Sequence, residues 1–475
     1  MRERNGAGVD AERVGRVHAL IDKQRQRRQS NRVLHGHPSP MFWLERNVPV
    51  PMVMSDRRAA NTAIPKRVNL YVATPYCLPT TPDRCGFCLF PSEIYRGKHQ
   101  LDEYLRYLER EGAMYRDFFA GNRLATVYFG GGTSNLYHAS QYGRLLDIVR
   151  GVFPDLPPDV EVTLEGIPQL YTAEKLAAMK AAGVTRISLG VQQLDDELIA
   201  LSGRKQKADH VFRTLEWCAA LGLPASVDLI FGWPRQTIAH MLHDLEAFIR
   251  AGIPHITHYE LNVAGRTDFA RNRRDELPSL EQNLEMYRVS RQFLEAHGYR
   301  QVTPYDWEKP DAPLAGAYEY EDIMRTPFRT EAGDRLIGFD VWGWGFAGIS
   351  FFFGTPDTPG WAFMNSVHVD DYMKALDEGR FPVERGFHYT ERDLHIHVLF
   401  QALQGLSVDL VAYQKIFGVD PVAEHAAIWQ ALVERGWVEI TDARARLVGD
   451  GGFYTPLIQA LFAHERTEEM RKANR

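Results

Sequence analysis

The chain has 475 residues, 45% apolar and 24% charged, with a net charge of −6. That profile suits a globular protein of two or three domains and gives no general electrostatic reason to bind nucleic acid. No apolar run is long enough to span a bilayer, and the opening MRERNGAGVD lacks an apolar signal core. Four cysteines in so long a chain make no disulfide framework, and clustered free thiols fit a reducing compartment, so a cytoplasmic location is expected.

Residues 1–64 show no strong period and read as an N-terminal extension. Lys23–Arg32 is a basic run, read as a solvated helix or arm. Pro38, Pro40, Pro49 and Pro51 predict an extended course from His35 to Met54. Met41, Phe42, Trp43 and Leu44 predict that this segment lies across the main domain.

From Arg67 the pattern becomes short apolar strands separated by helices. The strands are expected at Val68–Ala73, Ala125–Phe129, Val160–Leu164, Arg186–Val191, Ser226–Phe231 and Ile256–Leu261. Helices are expected at Leu101–Phe119, Ala173–Ala182, Ala208–Leu221 and Ile238–Ala251, with Glu111 and Arg116 as exposed charges on the first. Six strand–helix units predict an α/β fold, a partial (β/α)6 barrel over residues 65–311. Reactive groups in such a barrel gather at the C-terminal ends of the strands.

Residues 312–389 read as a connecting region packed on the barrel. Within it, Gly338–Gly354 is expected to form a strand pair against the barrel mouth. Its aromatics Trp342, Trp344, Phe346 and Phe351–Phe353 read either as core or as the lining of a pocket for a flat aromatic substrate. Residues 390–475 read as a small, mostly helical domain with helices at Arg392–Leu403, Val408–Phe417 and Val422–Arg435 and a strand near Trp437–Ile440. Helices closed by a strand pair suggest a winged-helix-like shape.

The chemistry concentrates in YVATPYCLPTTPDRCGFCLF, Tyr71–Phe90. Cys77, Cys85 and Cys88 stand there in a C-x7-C-x2-C spacing. Thiolate is the ligand preferred by iron–sulfur clusters and by zinc. A zinc ribbon needs a second cysteine pair, which is missing. Three thiolates on a four-iron cluster leave one iron open for chemistry. Cys218, in LEWCAALG, reads as a small buried hydrophobe.

Further motifs follow in order: YFGGGT, TLEG-x-P, RISLGVQ, GR and DLIFGWP-x-QT. On these residues and the cysteine stretch, the chain resembles the radical S-adenosylmethionine (SAM) superfamily, more closely its oxygen-independent coproporphyrinogen III oxidase branch, over about residues 65–460. The resemblance implies a [4Fe-4S] cluster on Cys77, Cys85 and Cys88 whose open iron chelates SAM. One electron then cleaves SAM to a 5′-deoxyadenosyl radical that abstracts a substrate hydrogen. It further implies that Tyr71 reaches this centre and that Gly130, Gly131, Gly132 and Thr133 meet the methionine amino group. Phe87 would face the adenine, Glu165 the amino group or ribose, and Gln192 and Arg204 the ribose and carboxylate, with Asp228 near the nucleoside. A small-molecule substrate and a reducing partner such as flavodoxin or ferredoxin are implied, with no nucleic-acid or membrane partner.

Two departures stand out. Seven residues separate the first two cysteines where the family has three, and Ala73 stands where the oxidase carries histidine. These lead the reading toward carbon-centred radical chemistry on an aromatic or natural-product substrate, with methyl or methylene transfer or cyclopropanation from a second SAM. The alternatives are the oxidase reaction itself and a haem-binding chaperone, the latter marked down because its His-Asn dipeptide is missing.

Overall fold

The structure, a computed structural model, describes residues 10–27, 36–60, 67–158, 160–263, 265, 267–312, 339–354 and 357–473. The basic run beyond Arg27 and the connecting region from 313 to 338 lie outside the described residues.

Six strands line up side by side in chain order: β1 (Arg67–Thr74), β4 (Leu124–Gly131), β5 (Glu161–Gly166), β6 (Arg186–Gln192), β7 (Ala225–Phe231) and β8 (His255–Glu260). All five pairings between them are parallel. Two short parallel strands, β2 (Tyr76–Cys77) and β3 (Glu93–Ile94), form a clip after β1. The crossover helices are α3 (Lys98–Phe119), α4 (Tyr142–Val152), α5 (Ala173–Ala182), α6 (Asp196–Ala200), α7 (Ala208–Ala220) and α8 (Ile238–Arg250). Their apolar faces bury residues such as Leu101, Leu105 and Leu108 against the sheet.

The strands alternate. Val68, Leu70, Val127, Phe129, Val162, Leu164, Ile187 and Leu189 join the helix-side core. The opposite positions are polar: Asn69, Thr126, Thr163, Arg186, Ser188, Ser226, Asp228 and Thr257. Buried charge needs partners. Arg186 donates to Ser226 Oγ at 2.9 Å and lies 3.6 Å from Glu161 and 3.1 Å from His255 Nδ1. His255 in turn pairs with Asp306 at 3.3 Å. These groups build a polar floor at the strand starts, beneath the site.

Beyond β8 come α9 (Asp268–Asn272), α10 (Leu280–Ala296), β9 (Arg300–Gln301) and β10 (Asp306–Glu308), the last pairing antiparallel with β8. At the other edge β11 (Phe339–Trp344) pairs parallel with β1, followed by antiparallel β12 (Ile349–Phe353), β13 (Gly360–Asn365) and, after α11 (Val369–Asp377), β14 (Val383–His388). The expected strand pair forms as β11 and β12, but it extends the sheet at its β1 edge instead of lying against the barrel mouth. Of the two readings of its aromatics, core and pocket lining, the structure bears out core. Trp342 and Trp344 stack at 4.7 Å and 9° with no exposure, Trp342 packs on Tyr115 and Phe119 of α3, and Phe346 and Phe351–Phe353 are buried. Rings this large are driven into the sheet–helix interface by their apolar area. Glu111, expected as exposed, is buried. It accepts from Tyr372 Oη (2.7 Å), Asn365 Nδ2 (2.7 Å) and the Gly345 N–H (3.0 Å).

The C-terminal segment holds α12 (Glu391–Gln404), β15 (Ser407–Asp409), α13 (Leu410–Phe417), α14 (Pro421–Glu424), α15 (Ala426–Glu434), β16 (Val438–Ile440), β17 (Arg444–Leu447), α16 (Thr455–Phe462) and α17 (His464–Ala473). Its strands form a small antiparallel sheet in the order β15–β17–β16. The single helix expected over Val422–Arg435 is broken at His425.

The N-terminal extension holds two helices. Ala11–Arg25 is α1, capped by Asp10, and takes in the start of the basic run. Val50–Ala60 is α2, and its first residues, to Met54, correct the extended course expected there. Pro49 and Pro51 sit at its start, where the missing N–H has no intrahelical partner to lose and the fixed φ suits helix entry. Trp43 does lie across the main domain, buried edge-on to Phe351, while Met41 and Leu44 stay exposed. Among the described residues, no helix is long and apolar enough to cross a membrane.

Candidate functional site

The cysteines lie where β1 ends. Cys77 closes β2, and Cys85 and Cys88 follow the long loop. All three are free thiols, none fully buried. Each sulfur faces a hydrogen-bond donor. Thr133 Oγ1 lies 3.3 Å from Cys77 Sγ, Arg204 Nε lies 3.4 Å from Cys85 Sγ, and the Phe90 N–H lies 3.4 Å from Cys88 Sγ. Burial pushes the Cys77 thiol up and that of Cys88 to about 11. Deprotonating such sulfurs needs a positive centre beside them.

The seven-residue loop is built in rather than loose. Thr80 Oγ1 accepts from the Cys85 N–H at 3.0 Å and donates to Pro82 O at 2.8 Å. Arg84 and Cys85 adopt positive φ of 52° and 57°. The loop rests on Gly203, where a Cβ would stand 2.4 Å from Thr81 O at φ +77°. The turn carrying Arg204 thus exists because position 203 has no side chain.

On the neighbouring strands, Tyr71 and Tyr128 stack at 5.6 Å and 9°. Tyr71 Oη and Glu165 Oε2 flank Gly130, at 2.5 and 2.9 Å from where its Cβ would be. A Cβ on Gly131 or Gly132 would run into the Thr74 and Tyr76 backbone and the Phe90 ring, so the strand end packs this closely only with glycine there. Glu165 is pushed up to about 8 by enclosure within the barrel and by the charge of Asp228, against the pull of Arg204 and Tyr128. Enclosure also lifts Asp228 to about 6, and Ser188 Oγ lies 3.3 Å from its carboxylate. Both acids are half-buried.

Arg204, expected at a ligand carboxylate, spans Cys85 Sγ and Gly190 O, the latter at 2.6 Å. Its guanidinium also covers the Phe87 ring at 5.5 Å. Gln192, at φ +70°, places its amide beside Gly190. Phe87 packs on Trp233 at 5.0 Å and on Phe269 at 6.3 Å. Trp233, Phe269 and Tyr128 are the wall residues the sequence reading passed over. Trp233 stood in the quoted FGWP motif, and Tyr128 in the alternation of TVYFG. Cys218, as expected, is buried, its thiol pushed up to about 12.

The donor set fits a cluster. Among the described residues no three His, Cys, Asp or Glu side chains gather tightly enough for a single metal ion. A multi-iron cluster takes each thiolate on a different iron and does not need that convergence. Donors aimed at every sulfur are the outer contacts such thiolates use.

Residues 77–248 match the model of the radical SAM superfamily. The chain is 33% identical to the heme chaperone HemW of Bacillus subtilis over 386 residues, 80% of this chain and 95% of that one. It is 26% identical to the oxygen-independent coproporphyrinogen III oxidase of Escherichia coli over 396 residues, 81% and 82% of the two chains. The solved coproporphyrinogen III oxidase (HemN) of Escherichia coli superposes with a TM-score of 0.76 at 23% identity, over 90% of this chain and 96% of that one. The fold and thiol triad thus define a radical enzyme working on SAM. The chain belongs to the radical SAM superfamily, in the branch of the oxygen-independent coproporphyrinogen III oxidases and HemW, and its cofactors are a [4Fe-4S] cluster and SAM.

Proposed function

We propose that the chain is a radical SAM oxidoreductase acting on a carbon of a small organic substrate, with tetrapyrrole precursors the class to test first. When bound, the cluster and SAM supply a 5′-deoxyadenosyl radical able to abstract hydrogen. The observation that carries the reading is the triad Cys77, Cys85 and Cys88, each sulfur met by a donor, lying at the strand ends that also carry Tyr71, Glu165 and Asp228.

The geometry supports a role for each residue. Cys77, Cys85 and Cys88 would hold the cluster, and Thr133 and the Phe90 N–H face two of the sulfurs. Phe87, backed by Trp233 and Phe269, gives an apolar wall for the adenine. Gly130, having no Cβ, lets Tyr71 Oη and the Glu165 carboxylate close over its backbone, and these two groups would meet the amino-acid end of SAM. Glu165 and Asp228 face this end of the site, their carboxyls pushed up by burial to about 8 and about 6. Gln192 and Arg204 line the side toward Gly190. Methyl or methylene transfer from a second SAM is set aside, because the relatives named above are an oxidase and a chaperone and the aromatic stretch offered for it is core.

Anaerobic reconstitution with iron and sulfide, reduction, and chromatography for 5′-deoxyadenosine test the reading. Coproporphyrinogen III should raise deoxyadenosine formation and lose carboxylate. Substrate-independent background alone would overturn the oxidase assignment. A second reading, a haem carrier, is favoured by the likeness to HemW across 95% of that protein and by Ala73 in place of the oxidase histidine. Stoichiometric haem binding without deoxyadenosine would select it.

A further inference from the structure

We infer that three buried glutamines, Gln193, Gln206 and Gln236, are positioning residues that set the nucleoside pocket for SAM by clamping the bulged end of β6. The inference rests on the SAM reading above. The ladder between β6 and β7 slips at this end. Two steps of β6, Gly190 to Gln192, face the single step of β7 from Asp228 to Leu229, so Val191 is an extra residue. The chain then turns at Gln192, at φ +70°, with the Gln193 N–H donating back to Val191 O at 2.9 Å. A left-handed φ is unfavourable for a residue with a side chain and persists only where the surroundings hold it. The bulge re-aims Gln192, whose amide comes beside Gly190. It also leaves buried carbonyls to be satisfied off the ladder.

Side-chain amides satisfy them. Gln206 Nε2 donates to Val191 O at 2.8 Å and to Gln193 O at 3.1 Å, bracketing Gln192 from both sides. Its Oε1 is buried with no partner among the described residues. An orphaned amide oxygen costs stability, and turning the amide over would set that oxygen against two carbonyls. The side chain is therefore held there for its NH2 group. Gln193 Nε2 crosses to Ile230 O on β7, and Gln236 Nε2 lies 3.4 Å from the same carbonyl. Gln236 Nε2 also donates to Gln193 Oε1 at 3.1 Å, and Gln236 Oε1 accepts from the Trp233 N–H at 3.1 Å. Asp244 of α8 takes the Leu194 N–H at 3.1 Å. One hydrogen-bonded chain thus runs from the turn at Gln192 to Trp233. The Trp233 ring is pinned by its Nε1–H to Leu198 O at 2.8 Å and backs Phe87 at 5.0 Å. At the other end of the chain, Gln206 stands two residues after Arg204. The clamp therefore ties the side of the pocket at Gln192 and Arg204 to the wall proposed for the adenine.

The test measures SAM binding to the reconstituted full chain by equilibrium dialysis, with iron content and cluster absorbance alongside. Gln206→Met keeps the volume and removes the donor. It should weaken SAM binding about tenfold and leave iron content unchanged. Gln206→Glu keeps the shape but donates only while its carboxyl is protonated, and burial raises the pKa of such a group. Its SAM affinity should be close to wild type at about pH 6 and fall away from wild type toward about pH 8.5, a dependence that a general packing defect does not produce. Hydrogen exchange on the cluster-free chain should quicken in Gln206→Met at residues 191–194 and 233 and not elsewhere. Unchanged SAM binding in Gln206→Met overturns the inference, and so does a Gln206→Glu deficit that ignores pH. A variant that loses iron overturns it as well, because the change then acts on the cysteines. A wild-type chain that forms no cluster or binds no SAM overturns the reading beneath. Exchange, which needs neither, then decides the clamp, and an unchanged pattern overturns it.

Discussion

Cys85 sits at φ 57°, held by Thr80 through its N–H and by Arg204 at its sulfur. Cys85→Ala should abolish the cluster's visible absorbance and deoxyadenosine formation together. Retained SAM cleavage would mean the ligands are misassigned. Glu165 offers a different measurement. Its carboxyl titrates at about 8 in the fold against an ordinary value near 4.5. Between those values the unfolded chain releases the proton that the folded chain keeps, so stability falls as pH rises through that window and is flat outside it. Denaturation midpoints of the cluster-free chain should therefore drop from pH 5 to pH 8, and Glu165→Gln should flatten part of that slope. An unchanged slope would place the proton elsewhere. The thiols and the strand-end motifs were legible in the sequence because their spacing is chemical. The roles of Gly131 and Gly132 were not, since only the fold shows that Thr74 and Tyr76 occupy their space. Arg204's contact with Cys85 was hidden for the same reason: 119 residues separate the partners.

Among the elements, the six strands were readable because each is short, β-branched and ended by glycine or polar residues, and each lies within a residue or two of its expected bounds. Their strict polar alternation, in NLYVA, ATVYF and EVTLEG, also announced a polar lumen, a signal passed over because parallel strands usually read as continuous apolar runs. The helix α4 escaped notice because Gly143 and Gly151 dilute its pattern. α10 carried a readable capping box, Ser279 with Gln282, that went unused. Glu111 shows where charge misleads. Its α3 position reads as surface by type, but the turn after β11, β13 and α11 close over it from residues 234 or more positions away. Glu111→Ala leaves the Tyr372, Asn365 and Gly345 donors without their acceptor, at about 1–3 kcal/mol for each buried group. A loss of at least 3 kcal/mol in urea denaturation is expected. A change under 1 kcal/mol would mean that water replaces the carboxylate.

At the scale of the whole molecule, the barrel is an open sheet with its β1 edge extended by β11–β14, and the N-terminal extension binds that addition to the rest. α1 reaches the C-terminal helices through His18–Glu434 at 2.8 Å and Asp22–Arg435 at 2.8 Å, with Arg25 over the Trp437 and Tyr454 rings. α2 brings Arg57 to Asp340 of β11 at 2.5 Å, both side chains at most 1% exposed, and lays its guanidinium over Phe119. Arg57 also donates to Asn122 Oδ1 at 2.9 Å. None of this was visible in a segment judged aperiodic, because its order comes from long-range partners rather than from its own pattern. Removing one member of a buried pair strands the other, at about 3–5 kcal/mol, whereas replacing both with apolar residues of similar volume is often neutral. Arg57→Ala should therefore destabilise the chain by that amount in urea denaturation, and Arg57→Met with Asp340→Leu should recover most of it. Asp340 pairs with Val68 at the opening end of β1, the opposite end from the cysteines, so deoxyadenosine yield per folded molecule should stay unchanged in both variants. If the double variant is as unstable as the single one, the pair does not act as the joint between α2 and β11, and α2 is held there by the packing of Val53 and Met54.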